Sequence, residues 1–316
     1  FYDYTLQNSK GTVTVLDPYA RSMSANRGKG GAGRAAVVNL KSQKAGVQES
    51  SYVNLTKRED AVIYEVSVRD FTISPDSGVS SMPGTYAAFI EKIPYLKQLG
   101  ITHIQLMPVL NFYFNDETDK SYESSGTVSG NCYNWGYDPH NYFTPEGWYA
   151  TDAEDPYCRI RELRALIDEC HKAGLGVLLD VVYNHMAGTQ FLDDIVPGYY
   201  FRFDEKGRFK SNSGCGNDTA TERTMMKRLV VDSTSHWVKN YMADGFRFDL
   251  MGLMESSSVL DSYAACVKLN ASTLFEGEGW KMYNGEPGTV GLDQNYMLKT
   301  DKVAVFNDEF RDLIKA

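Results

Sequence analysis

The sequence predicts a parallel α/β fold, and within that class a (β/α)8 TIM barrel of which about six of the eight strands are present. From residue 61 onward, β-rich apolar runs alternate with amphipathic helical segments, the order that builds parallel sheets. Side chains that can take part in catalysis or binding follow several of these runs, as they do at the carboxyl ends of the strands in a TIM barrel. A doubly wound sheet also fits the alternation, but no GxGxxG or Walker motif follows any of these strands.

The elements follow from apolar spacing. AVIYEVSVRDF is apolar on both faces, which indicates a buried parallel strand. In the first helical segment, Phe89, Ile93 and Leu96 share one face and Gly100 ends the helix. The predicted strands are residues 61–71, 101–109, 175–185, 245–252, 271–280 and 302–310. The predicted helices are residues 84–100, 159–174 and 221–245, with a short one over 311–316.

The chain divides into two predicted units. Residues 1–20 alternate apolar and polar side chains, and residues 27–36 are glycine-rich and therefore flexible. We predict that residues 1–60 form the C-terminal part of a β-sandwich module plus a linker. Residues 61–316 are then the N-terminal three quarters of the barrel.

Composition excludes some partners. The net charge is −9 and no Lys/Arg-rich block occurs, which argues against nucleic acid or an anionic membrane as partner. No apolar run reaches the length of a membrane span. The five cysteines form no CxxC pair, and their odd number slightly favours a cytoplasmic location over a secreted one.

Two carboxylates have the spacing that acid–base chemistry needs. Arg247 and Asp249 are two apart on a predicted strand, so they share a face, and the arginine keeps the aspartate ionised, as suits a nucleophile. Glu278 ends the next strand beside Trp280, in surroundings that favour a protonated general acid. A retaining glycosidase needs this pair. A structural ion pair between Arg247 and Asp249 is the alternative.

Two further segments carry candidate ligand-binding groups. DVVYNH places Asp180, Asn184 and His185 at the end of a strand, and the spacing around His185 does not support zinc. YNWGYDP, residues 133–139, holds three aromatic rings in a predicted loop, which suits stacking on a sugar. There is no GxSxG motif or evident Cys–His pair, so acyl transfer lacks support.

Together these strings resemble glycoside hydrolase family 13, the α-amylase superfamily. DVVYNH, GFRFDLMG and LFEGEGW are similar to its first three shared regions. YNWGYDP, with VPGYYFR and SGCGNDTATER, makes the sequence most similar to the type I pullulanases, which debranch starch. The resemblance is dense over residues 61–316, and DPYA at 17–20 looks like the end of a starch-binding module.

The resemblance implies roles at matching positions. Asp249 would be the nucleophile and Glu278 the general acid, with Glu276 as a second choice for the acid. The implied substrate-binding residues are Tyr137, Asp138, Asp180, His185, Arg247, Trp280 and Trp135. The implied activity is endo-acting, retaining cleavage of α-1,6-glucosidic linkages in pullulan, amylopectin and limit dextrins. The partner is then an α-glucan polysaccharide or oligosaccharide.

The sequence departs from the family in one respect. The fourth shared region, a His-Asp pair that supplies a third carboxylate, is missing. We therefore expect the remainder of the polypeptide to complete the barrel, and residues 1–316 alone to be inactive and poorly stable.

Other functions remain compatible with the sequence. Isoamylase, glycogen-debranching, branching and α-amylase types share the regions of Asp249 and Glu278, and a non-catalytic starch-binding protein would keep the aromatic groove. No cofactor is required. Calcium is compatible with oxygen ligands such as Asn217 and Asp218, although ordinary loop hydrogen bonding explains them as well.

Overall fold

A curved sheet of six parallel strands forms the centre of the computed structural model, which describes residues 1–28, 31–122 and 133–315. Its order is β3–β4–β5–β6–β7–β8, so each strand pairs with the next one in the chain. The strands are β3 Ile63–Val66, β4 His103–Leu106, β5 Gly176–Val181, β6 Gly245–Phe248, β7 Leu274–Gly277 and β8 Ala304–Val305. This arrangement confirms the prediction of a barrel with about six of its eight strands.

Helices follow the strands and cover the sheet. They are α1 Tyr86–Ile90, α2 Ile93–Gln98, α3 Cys158–Lys172, α4 Gln190–Asp193, α5 Thr224–Tyr241, α6 Ser256–Cys266 and α7 Asp308–Lys315. Short 3-10 turns occur at Gln43–Ala45, Arg58–Asp60, Met251–Leu253 and Gln294–Lys299. The apolar stripe of α3 (Ile160, Leu163, Ile167) is fully buried, as an amphipathic helix on a sheet requires.

The predicted strands extend beyond the observed ones, and two predicted elements differ from the structure in a further way. The single helix predicted over residues 84–100 is two helices, because the chain is interrupted at 91–92 and Pro94, in the first turn of α2, has no N–H to continue a helical ladder. The strand predicted over 302–310 is only β8, because the Asn307 side chain accepts a hydrogen bond from Phe310 N at 2.8 Å and begins α7.

Residues 1–60 contain one small sheet among their described positions. β1 (Tyr4–Asn8) and β2 (Gly11–Val15) pair as an antiparallel hairpin. Lys10 Nζ joins this hairpin to α4 through Asp193 at 2.6 Å and Asp194 at 2.8 Å. The first strands therefore hold the segment that follows β5. A β-sandwich module with its boundary at residue 60 stays a prediction.

Some expectations concern residues outside this description. Cys132 lies there, as do parts of the glycine-rich stretch and the last residue of the predicted helix over 311–316. Cys158, Cys170, Cys215 and Cys266 are free thiols. Within the described ranges, no helix combines the length and apolar character that crossing a bilayer demands.

Candidate active site

The carboxyl ends of β5, β6 and β7 bring the candidate catalytic residues to one face. Asp180, Arg247 and Glu276 are register partners across these three strands, so their side chains share a face of the sheet. Asp249 and Glu278 each lie two residues further along and return to that face. The two-residue spacing of Arg247 and Asp249 thus places both side chains in one cluster of charged groups.

A single guanidinium group contacts three carboxylates. Arg247 Nη1 donates to Asp180 Oδ1 at 2.9 Å and to Asp249 Oδ1 at 3.1 Å. Arg247 Nη2 lies 2.7 Å from Glu278 Oε1. Because Arg247 is only 5% exposed, water screens these contacts weakly and the arginine fixes the positions of all three acids.

Burial sets the protonation of the deepest acid. The Asp180 side chain is fully buried, and this loss of solvent raises its pKa to about 7, although Arg247 and a hydrogen bond from Tyr137 act in the opposite direction. The three carboxylates in turn hold the pKa of Arg247 above its ordinary value, despite burial of the guanidinium. Asp180 therefore changes its charge near neutral pH, whereas Arg247 stays a cation.

The YNWGYDP loop reaches this cluster through Tyr137. The Tyr137 hydroxyl donates to Asp180 Oδ2 at 2.7 Å, and its ring centroid lies 5.8 Å from Arg247 Cζ. Its backbone oxygen lies 2.9 Å from His185 Nε2. Burial and the neighbouring Asp180 raise the pKa of the phenol, so the hydroxyl keeps its proton and remains a donor.

Asp138, the next residue, ties the loop to the segment that follows β4. Its Oδ2 accepts from the backbone N–H groups of Tyr113 at 3.1 Å and Phe114 at 2.6 Å. Burial raises the pKa of Asp138, and those backbone donors oppose the rise. Gly136 takes a left-handed φ of 90° in the same loop, and a Cβ there would meet the Phe112 ring at 2.9 Å. Asp138 thus clamps the loop that presents Tyr137.

The tryptophans occupy different surroundings. Trp135 is half exposed, with its ring centroid 5.5 Å from that of Tyr133. It borders an open cavity of about 380 Å³ lined by Phe114, Tyr133, Asn134, Trp135, Tyr137 and Asp138. Trp280 is half-buried after Glu278, and its carbonyl oxygen would lie 1.8 Å from a Cβ at Gly252, so this contact requires glycine.

Backbone geometry after β6 holds Glu278. Leu250, directly after Asp249, adopts a left-handed conformation with φ 42°, which is unusual for a leucine. Its N–H donates to Glu278 Oε2 at 3.0 Å. Together with Arg247, this donor fixes the position of the Glu278 carboxyl group in the free site.

Glu276 lies two residues before Glu278, on strand β7 itself. Burial raises the pKa of Glu276 to about 7, Arg247 lowers it, and Glu65 on β3 adds a smaller increase. Its place on β7 itself, rather than beyond the strand end, puts it within the barrel interior.

The site contains one residue, Asn184, to which the sequence interpretation assigned no role. Asn184 Nδ2 donates to Asp249 O at 2.9 Å and to Asp249 Oδ2 at 2.8 Å. Its Oδ1 lies 2.7 Å from His185 Nδ1. An amide transfers no proton, so chemistry-based selection from sequence passes over it; its position between Asp180 and His185 in DVVYNH is the only sequence signal.

The loop oxygens considered for calcium are already occupied by donors. Asn217 Oδ1 accepts from Met186 N at 3.0 Å. Asp218 accepts from the backbone N–H groups of Asn212 at 2.8 Å and Ser213 at 2.9 Å. These oxygens do not form a converging ligand set, and no cluster of three or more His, Cys, Asp or Glu suited to a metal occurs in the described part of the chain.

Comparison with protein families identifies the central part of the chain. Residues 51–197 match the model of the α-amylase catalytic domain. The match includes Tyr137, Asp180 and His185, whereas Asp249 and Glu278 lie beyond it.

Relatives of known name cover those positions too. Pullulanase A of Streptococcus pneumoniae (strain D39) is 43% identical over 331 residues, which cover 100% of this chain and 26% of the relative. Pullulanase of Bacillus subtilis (strain 168) is 34% identical over 99% of this chain and 43% of the relative. The chain thus spans between about a quarter and less than half of the length of these relatives.

Solved structures agree with this assignment. The pullulanase SAP of Group B Streptococcus in complex with maltotetraose superposes with a TM-score of 0.92 at 40% identity, over 98% of this chain and 41% of that one. The catalytic module of the pneumococcal glycogen-degrading virulence factor SpuA, in complex with an inhibitor, gives 0.93 at 42% identity, over 98% and 46%. The chain therefore belongs to the α-amylase family, glycoside hydrolase family 13, and within that family to the group of the pullulanases.

Proposed function

We propose that this chain carries the nucleophile and the general acid of an endo-acting hydrolase that cleaves α-1,6-glucosidic linkages with retention of configuration. The observation that carries the proposal is the guanidinium of Arg247, which contacts Asp180, Asp249 and Glu278 together. Carboxylates held on adjacent nitrogens of one arginine are close enough for the short spacing that a retaining mechanism uses.

Asp249 is the proposed nucleophile. Its contacts with Arg247 and with the Asn184 amide fix the direction of its oxygens. In the first step, an Asp249 oxygen bonds to the anomeric carbon while the bond to the leaving glycosidic oxygen breaks. Water then displaces Asp249, so that two inversions give net retention.

Glu278 is the proposed acid and base. It protonates the leaving oxygen in the first step and accepts a proton from water in the second. Because Glu278 contacts Arg247 Nη2 and the Leu250 N–H in the free site, its carboxyl group must leave Arg247 Nη2 before it can reach the leaving oxygen. Glu276, whose pKa is already raised to about 7, is the second choice for the acid.

The remaining site residues hold the sugar. Tyr137 gives a ring face tied to Asp180, and we assign it to stacking on the glucosyl unit under attack. Asp180 and His185 contribute polar groups at the same subsite. Trp135 and Trp280 are proposed as further walls, and Asp138 acts by clamping the Tyr137 loop, in addition to the predicted role near the substrate.

The α-1,6 preference rests on relatives named pullulanase, one of which has been solved with maltotetraose. Amylopectin, pullulan and limit dextrins are the proposed substrates. We further propose that polypeptide outside residues 1–316 supplies the carboxylate of the family's fourth shared region, which residues 1–316 lack.

The test uses the full polypeptide that carries this chain, with pullulan as substrate. Asp249→Asn is expected to lower kcat at least about 10³-fold while leaving dextrin binding intact. Asp261→Asn is the matched control, since Asp261 is an exposed carboxylate on α6, and its activity should equal that of the parent. Retained activity in Asp249→Asn would refute the assignment of the nucleophile.

Product analysis on pullulan tests the linkage. Maltotriose is expected as the product of α-1,6 cleavage. Panose or isopanose would instead place the chain with enzymes of the same family that cut α-1,4 bonds. Proton NMR of the first product formed reads the anomeric configuration, and initial release of the β-anomer would contradict retention.

A further inference from the structure

The hydrogen bonds of Asn184 fix which way its amide points. Its Nδ2 faces two oxygens of Asp249, the backbone carbonyl at 2.9 Å and the carboxylate Oδ2 at 2.8 Å. Both are acceptors, so the group that faces them is the NH2. The opposite end of the amide, Oδ1, therefore faces His185, and Asn184 is 1% exposed, so water does not supply an alternative partner.

Both ring nitrogens of His185 face oxygens that only accept. Nδ1 lies 2.7 Å from Asn184 Oδ1, and Nε2 lies 2.9 Å from the backbone oxygen of Tyr137. A neutral imidazole has one donor and one acceptor nitrogen, whereas the imidazolium has two donors. The arrangement is satisfied in full only when His185 carries both protons.

We infer that Asn184 is a positioning residue that joins the nucleophile Asp249 to the Tyr137 loop through an imidazolium form of His185. The description of Asp249 as the nucleophile rests on the proposed function, whereas the hydrogen bonds of Asn184 and His185 do not depend on it. Together with Arg247 and Asp180, these residues form a closed ring of hydrogen bonds. The ring runs through Tyr137, Asp180, Arg247, Asp249, Asn184 and His185.

The groups that face His185 determine when this ring is closed. Burial of the ring lowers the pKa of His185 from its ordinary value, while the Tyr137 carbonyl and the carboxylates of Asp249 and Asp218 act against that shift. Because the pKa of His185 is lowered, the doubly protonated form requires a more acidic solution than it does for an ordinary histidine, whose pKa is about 6.5. As the pH rises, the ring loses one of its two protons. We expect the proton on Nε2 to leave, because the contact of Nδ1 with Asn184 Oδ1 is the shorter one, 2.7 Å against 2.9 Å for Nε2 and the Tyr137 oxygen.

Deprotonation then acts on the loop and not on the nucleophile. The bond from Asn184 to Asp249 remains, but the Tyr137 carbonyl loses its donor. The Tyr137 ring is left with its hydroxyl bond to Asp180 as the link to the cluster. Substrate stacking should weaken at higher pH, which raises KM more than it lowers kcat.

Two substitutions separate the two ends of the amide. Asn184→Ala removes both, and we expect the pKa of His185 to fall by about one unit and kcat to fall about 10- to 100-fold. Asn184→Asp keeps an acceptor for Nδ1 but loses the donor to Asp249, so kcat should fall while the proton stays on Nδ1. Asn217→Ala is the control: Asn217 is equally buried but bonds the Met186 backbone, and the state of His185 should not change.

The direct readout is ¹⁵N NMR of histidine-labelled full polypeptide, titrated from about pH 4 to about pH 8, with His185→Gln to assign the signals. The expected result is two protonated ring nitrogens in acid and, after titration, a neutral ring protonated on Nδ1. A neutral ring protonated on Nε2, or a titration unchanged in Asn184→Ala, would overturn the inference. The protonation of both ring nitrogens is measured on the unsubstituted protein, so the test remains possible even if a variant fails to fold.

This measurement is separate from the test of function. Loss of pullulan cleavage in Asp249→Asn concerns the reaction, whereas the proton count on His185 is read without substrate. A protein that failed to cleave pullulan but showed the Nδ1-bound tautomer would refute the proposed function and leave the role of Asn184 as a link between Asp249 and His185 supported.

Discussion

Replacing Arg247 by lysine keeps a positive charge in the site but removes the planar fork of nitrogens that reaches several acids. Nη1 of Arg247 contacts Asp180 at 2.9 Å and Asp249 at 3.1 Å, and Nη2 contacts Glu278 at 2.7 Å. An ammonium group is a single compact donor on a shorter side chain and cannot reach all three carboxylates. Arg247→Lys therefore tests geometry with the net charge held constant.

The size of the effect follows from the hydrogen bonds that lysine cannot make. A hydrogen bond to a charged group contributes about 1.5–3 kcal/mol, and removing one or two of them at the reacting carboxylates corresponds to about a 10- to 10⁴-fold loss in kcat/KM. Arg247→Met removes the charge as well and leaves buried acids uncompensated, which is expected to destabilise the fold by about 3–5 kcal/mol.

The assay is the initial rate of reducing-end release from pullulan by the full polypeptide, beside urea unfolding of each variant. We expect Arg247→Lys to lose most of its activity with a small change in unfolding midpoint, and Arg247→Met to lose both. If Arg247→Lys kept its activity within about threefold of the parent, the fork geometry would be irrelevant to catalysis and the reasoning refuted.

Substitutions at three further positions test other parts of the site. Burial raises the pKa of Glu276 to about 7, so the native state binds its proton more tightly than the unfolded chain and stability falls as pH rises from about 4.5 to about 7. Glu276→Gln should therefore raise the urea midpoint at pH ~8 and leave it unchanged at pH ~4, and an equal effect at both values would contradict the burial argument. Tyr137→Phe, which loses the 2.7 Å bond to Asp180 but keeps the ring, should lower kcat/KM about 10- to 100-fold, and Tyr137→Ala more; equal losses would exclude a stacking role. Gly252→Ala places a Cβ 1.8 Å from the Trp280 carbonyl, so calorimetry should show a loss of at least about 1–3 kcal/mol, and a full-stability variant would show that this turn is free to move.

The architecture was predictable because its signals are local and repeated. Apolar β-rich runs and a helical stripe such as Phe89, Ile93 and Leu96 predict strands and helices in order, and the order itself selects a parallel sheet. Element ends were not predictable to the same degree. Asn307 begins a helix by accepting from a backbone N–H three residues on, a short-range contact that competes with the apolar pattern of the last strand.

The site was predictable where it depends on strand alternation. Arg247 and Asp249 share a face because they are two apart, and the register of β5 to β7 brings Asp180 to them. Contacts made by loops depend on tertiary folding, so the resemblance named Tyr137 and Asp138 as substrate-binding residues but predicted neither the bond from Tyr137 to Asp180 nor the clamp formed by Asp138. The role of Asn184 depends on the direction of an amide, which no spacing rule reports.

The left-handed turn at Leu250 limits which residues position 250 can hold. The Leu250 N–H, and not the Leu250 side chain, donates to Glu278. The backbone therefore fixes the spacing between Asp249 and Glu278. The side chain at position 250 is then free to drift among residues that tolerate this conformation, with glycine relieving about 1–2 kcal/mol of steric cost. Proline is the one residue excluded from position 250, because it has no N–H to donate to Glu278 and cannot adopt a positive φ.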